Sequence, residues 1–110
     1  MTKVVVFLGD SRKRVRAFSD EAKAVAGREL YRVQCGEGPL DWKPMSSVGA
    51  GVREIRVNES GQFRIIYVAK FAEAIYVLHA FQKKTPQTAQ SDIELARRRF
   101  NVLANERTLG

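Results

Sequence analysis

From Val52 to Lys84 the chain alternates between apolar residues and cations, in three runs: VREIRV, QFRIIYVAK and AIYVLHAFQKK. Successive side chains of a strand point to opposite faces, so runs of this kind predict strands that bury one face and display charge on the other. Asn58-Glu59-Ser60-Gly61 predicts a hairpin turn, with glycine free to take a positive φ. Phe71-Ala72-Glu73 predicts a second turn, and strands joined this closely are antiparallel neighbours. On the middle strand Phe63, Ile65 and Tyr67 share one face and Gln62, Arg64 and Ile66 the other. The first set is the more apolar and is expected to face helices, leaving Arg64 on an open face.

The flanks are simpler. Lys3 to Leu8 is rich in β-branched residues and predicts a short buried strand. Asp10 or Ser11 can cap a helix after it. Val15, Phe18, Ala22, Val25 and Leu30 recur at helical spacing across Ser11 to Gln34, which reads as one kinked helix or two helices, the second capped by Ser19. Cys35 to Gly51, broken by glycines and prolines, predicts a loop in which Trp42 plugs an edge of the core. Beyond Pro86, the spacing of Ile93, Ala96, Phe100 and Leu103 predicts a helix over Gln87 to Asn105, with a capping box at Ser91 to Glu94 and a frayed tail over Thr108 to Gly110. Together these elements predict an α+β fold in one domain of 110 residues. Its sheet is mainly antiparallel and twisted, with an N-terminal helix or helical hairpin packed on one face and a helix at the C-terminus.

Charge changes the picture. Lys and Arg number 19 against 12 Asp and Glu, a formal net charge of +7, which points to an acidic partner such as nucleic acid. The single cysteine, Cys35, is expected to be a small buried residue near a helix end; it permits no intramolecular disulfide and suits a reducing compartment. With His79 the only histidine, a structural zinc site of the usual kind is excluded, and no cofactor motif is present. The N-terminal apolar run is too short for a secretory signal, and no run is long enough to span a bilayer. A cytoplasmic protein that does not engage membranes is expected.

The candidate site is the charged side of the sheet. Arg56 and Arg64 lie across the hairpin from one another and Lys83 and Lys84 end the third strand, with Arg53 and Lys43 as further cations. Arginine suits bidentate contact with phosphate, and lysine acts as a mobile point charge. Fixed cations can also stabilise the extra charge on a phosphorane formed when an RNA 2′-OH attacks its own phosphodiester. His79 is the one side chain with an ordinary pKa near neutrality and the obvious acid or base, although its place in IYVLHAF, at the parity of Val77 and Phe81, equally fits a packed histidine. The basic cluster Arg12, Lys13, Arg14 and Arg16 gains nothing from the positive end of a helix, so it fits a phosphate, a partner carboxylate or a solvated face.

The set of GVREIRV, GQFRIIYV, AIYVLHAFQKKT and TAQSDIELARRR resembles the phage-derived HigB-like branch of the RelE/ParE toxin superfamily, over nearly the whole chain. That resemblance implies a RelE-like fold and the toxin of a type II toxin-antitoxin system: a metal-independent endoribonuclease that cuts messenger RNA on the ribosome. It implies a cognate antitoxin, often a helix-turn-helix protein. By the same resemblance Arg64 contacts the scissile phosphate, with Arg56 and Lys83 as companions, and Glu54 stands where many relatives carry a basic residue. Some relatives end in a catalytic Tyr or His after the last strand, and this chain has neither there. Two other functions fit the residues: a toxin of this fold that poisons a protein such as DNA gyrase, and a catalytically weak protein that binds RNA or ribosomes.

Overall fold

The computed structural model describes residues 2–109. In chain order the elements are β1 (Val4–Phe7), α1 (Ser11–Arg16), α2 (Asp20–Gln34), β2 (Trp42–Pro44), β3 (Val52–Asn58), β4 (Gln62–Val68), β5 (Ala74–Gln82) and α3 (Gln90–Leu109). The strands form one sheet in the order β1-β5-β4-β3-β2, antiparallel except for β1, which runs parallel to β5. This is the expected α+β architecture.

Helices cover both faces. Phe63, Ile65 and Tyr67 of β4 pack with Ile55, Val57, Ile75 and Val77 under the apolar stripe of Phe18, Ala22, Ala26, Leu30 and Val33. On the other face Ile66, Val68, Val52 and Leu78 meet Ala96 and Leu103 of α3 and the loop residues Met45 and Val48. The face expected to be open is therefore half covered, because the Ile93-Ala96-Phe100-Leu103 stripe must bury its apolar side against something.

The N-terminal helical region is two helices, and Ser19 caps the second by accepting a hydrogen bond from the Ala22 amide. Asp10 does not cap α1 through its side chain. Its carboxylate is held by Arg14 and Arg99, which keep its pKa down at about 2. The Ser11 hydroxyl donates to the Val77 carbonyl instead, pinning α1 to β5.

Several expectations change. The first strand is an edge, with Val4 60% exposed, because no strand lies beyond it. The supposed loop contains β2, which pairs with β3 and holds Trp42 on the sheet margin, half-exposed beneath the Arg53 guanidinium at 4.2 Å. Cys35 follows α2 as expected but is exposed. The last helix starts at Gln90, which places Ser91 inside the first turn and frees Asp92 from capping. Thr108 is still helical; Gly110, at the end of the expected frayed tail, lies outside the described residues. At the hairpin Ser60 takes φ 57° and Gly61 φ 134°, a conformation that suits the glycine.

Candidate nucleic-acid interface

Two cross-strand pairs build the cationic end of the α3-facing side. Arg56 stands opposite Arg64, and Lys43 opposite Glu54. Strand alternation puts all of them on the face that Ile66 and Val52 share further along. Lys83 joins by the same rule: its amide donates to the Gln62 carbonyl, and Arg64 pairs with Phe81 two residues before it.

Glu54 is the centre. It is fully buried, and its Oε1 lies 3.7 Å from Lys43 Nζ, 3.9 Å from Arg56 Nε and 3.7 Å from Arg64 Nε. At these separations each cation is attracted without a direct hydrogen bond, and both carboxylate oxygens lack a hydrogen-bond partner. A lone buried carboxylate is costly, so the three cations are required by it as much as it is by them.

Arg64 is buried too, with its side chain 6% exposed. Nη1 donates to Asn58 Oδ1 at 3.2 Å and to the Phe63 carbonyl at 2.9 Å, and Nη2 to Gln62 Oε1 at 3.4 Å. A guanidinium has five N–H groups, so these bonds leave one hydrogen of Nη2 and Nε, the latter buried 3.7 Å from Glu54 Oε1. Nε has no hydrogen-bond partner. Burial pulls the pKa of Arg64 down, Glu54 opposes that shift, and Arg56 adds to it. Arg64 thus holds a fixed charge in a rigid frame, a geometry suited to phosphate.

Lys43 and Lys83 both line a groove of about 420 Å³, together with Met45, Ser47, Thr88 and Ile93. A second groove, about 680 Å³, runs past Gly61, Gln62, Lys83 and Lys84 to Pro86. Lys43, Arg56, Arg64 and Lys83 therefore gather at one end of the sheet, and Lys84 lies at its rim.

Two other candidates are placed elsewhere. Arg53 pairs with Tyr67 on the opposite face and stacks on Trp42, away from the cluster. Burial raises the Tyr67 phenol's pKa, with Arg53 opposing. His79 is fully buried beside α3, with its Nε2 2.7 Å from Asp92 Oδ1 and its ring stacked on Phe81 at 5.2 Å. Burial lowers its pKa against the pull of Asp92. His79 thus joins β5 to α3.

The reason is a bulge. Ile66 pairs with His79 and Tyr67 with Val77, so Leu78 is an extra residue on β5. Val77 packs toward α2 while Leu78 and Phe81 pack toward α3, so of the two residues expected to share the parity of His79, Phe81 keeps it and Val77 does not. Sequence reasoning did not single out Asn58, Gln62 or Asp92 as partners; the position of Asn58 and Gln62 at the two ends of the hairpin was the available signal for the first two. Among the described residues no group of three or more His, Cys, Asp or Glu side chains is placed to hold a metal. No helix among them is long and apolar enough to cross a membrane.

Fold and cluster define a small α+β protein with a buried cation-carboxylate centre at one end of its sheet. Residues 13–101 match the family described as phage derived protein Gp49-like, and the chain belongs to that family. No curated protein matches the sequence.

Proposed function

We propose that this chain is the toxin of a type II toxin-antitoxin pair, a ribosome-dependent endoribonuclease acting on messenger RNA in the cytoplasm. The observation that carries the reading is the gathering of Lys43, Arg56 and Arg64 around buried Glu54, with Lys83 lining a groove together with Lys43. Membership of a phage-derived family and the resemblance of its strands to HigB-like toxins support it.

The reaction needs charge stabilisation above all. The 2′-oxygen attacks the adjacent phosphorus, the bond from phosphorus to the 5′-oxygen breaks, and a 2′,3′-cyclic phosphate forms. The 2′-OH gives up a proton and the 5′-oxygen takes one. Arg64 supplies a fixed, largely enclosed positive charge near the phosphorane, and the more exposed Arg56 and Lys83 supply the direct contacts. Glu54 is a positioning residue: fully buried, it holds the cations in place without reaching the sugar. His79 is engaged with Asp92 and has no part in the proton transfers. In this proposal groups of the ribosome complete them, which accounts for the ribosome dependence, and an antitoxin encoded beside the chain silences it.

Transcript ends mapped after brief induction test the proposal. Discrete new ends within translated frames are expected, and they should vanish with Arg64→Ala while the variant remains folded. Arg64→Ala that cuts as before removes the assigned site. The burial of His79 favours a second reading, a protein that binds ribosomes and cuts weakly or not at all. Ribosome association with intact transcripts would establish it.

A further inference from the structure

Beyond the cationic cluster, a further cavity lies where β5 ends at Gln82. Arg14, Ala17 and Phe18 of the N-terminal helical region face Phe63, Phe81, Gln82, Lys84 and Asp92 across a groove of about 310 Å³. It shares Lys84 with the groove that holds Lys83 and Gln62, so the two are contiguous. Its volume is at the small end of ligand pockets, roughly 300 Å³ upward.

Three features give this groove a chemical character. Its rim is cationic: Arg14, ion-paired through Nε with Asp10, and Lys84 are exposed, and α1 also carries Arg12, Lys13 and Arg16. Its floor is aromatic, with the rings of Phe18 and Phe63 4.5 Å apart. Its third feature is an open strand edge. β1 accompanies β5 only as far as Val77. Lys83 donates its amide to β4, so strand alternation turns the Gln82 peptide away from β4, toward the groove. No protein hydrogen bond to that peptide occurs among the described residues. A strand edge left this way presents a donor and an acceptor in one plane. Asp92 also lines the groove, with its Oδ1 bonded to His79 Nε2 and no bond to its Oδ2 among the described residues.

We infer that this groove takes one nucleobase of a single-stranded RNA, next to the linkage held by the cationic cluster. The inference rests on the nuclease reading for its ligand class. The phosphate stays at the Arg14 and Lys84 rim, because Asp92 repels it from the interior. The base enters between α1 and β5, packs against the phenylalanine edges and sets its polar edge against the Gln82 peptide and amide. The Asp92 acceptor selects a base with an exocyclic amine, so adenine, cytosine and guanine are favoured over uracil. Gln82 and Asp92 are thereby specificity residues.

The test is an NMR titration of the full ¹⁵N-labelled chain with adenosine, cytidine and uridine 5′-monophosphates and with ribose 5-phosphate. Shifts at the Ala17, Gln82 and Lys84 amides are expected with the adenosine and cytidine nucleotides. Ribose 5-phosphate should bind about 10-fold more weakly, the size of one stacked base. The uridine nucleotide should fall between them, and Gln82→Ala, at an exposed position, should reduce the preference among bases. Equal binding of ribose 5-phosphate, or shifts confined to the Lys43 and Lys83 groove, overturns the pocket. Base-dependent binding together with uncut transcripts after induction overturns the nuclease reading and keeps the pocket. Cut transcripts together with base-independent binding do the reverse.

Discussion

The two ends of the α3-facing side of the sheet use the same strands for opposite purposes. At one end Val52, Ile66, Val68 and Leu78 meet Ala96 and Leu103, and the interface is apolar. At the other, Glu54, Arg56 and Arg64 come from the same β3 and β4, with Lys43 and Lys83 at the margins. One end gains stability by removing apolar area from water. The other spends it by burying charge, and it can do so because the first end and the α2-facing core hold the strands in register. Preorganised charge near a substrate is useful for the reason it is costly: it is already desolvated and fixed.

Substitutions should separate the two ends. The largest effect on stability is expected from Leu78→Ala, about 2–5 kcal/mol, since a buried leucine is replaced by a cavity. Denaturant unfolding would measure it, and the proposed transcript cleavage should fall only as far as the folded fraction does. A comparable loss in the charged end would show that the division is not one of purpose. Glu54→Gln should cost about 3 kcal/mol, because three cations are left around a neutral amide. The expected loss of cleavage should exceed the unfolded fraction, and Glu54→Asp should recover part of it. An unchanged unfolding midpoint for Glu54→Gln would mean that the buried carboxylate does not hold the cations. Arg64→Ala should lower the cleavage rate on the order of 10²–10³-fold. Its circular dichroism should remain that of the folded protein.

A smaller effect concerns the joint between the ends. His79 has a pKa below its ordinary 6.5, chiefly through burial, so the unfolded chain takes up the proton first as pH falls. Stability from neutral His79 is present above about pH 6.5 and is lost as the pH drops below that value. The melting temperature measured at descending pH should therefore decline in that window, and His79→Gln should flatten the decline. A parallel decline in the variant would place the titration elsewhere.

Much of this was legible in the residues. The alternation in β3 and β4, with turn residues between them, set the hairpin, the Arg56–Arg64 pairing and the apolar set that packs on α2. Ser19 and the helical stripes were equally plain. Local signals were sufficient there because each depends on near neighbours in the chain. Trp42 was harder: a run of three residues carries almost no periodicity, and β2 exists because the edge of β3 offered it a partner.

Local residue preferences specified the hairpin, the helices and an excess of positive charge carried partly by strands. They did not determine which cations share a face beyond a short run, since alternation holds only while register is unbroken. The inserted Leu78 turned His79 toward Asp92, and Asn58, Gln62 and Glu54 closed around Arg64. Both outcomes depend on contacts between strands or between strand and helix, and only the assembled sheet and helix could decide them.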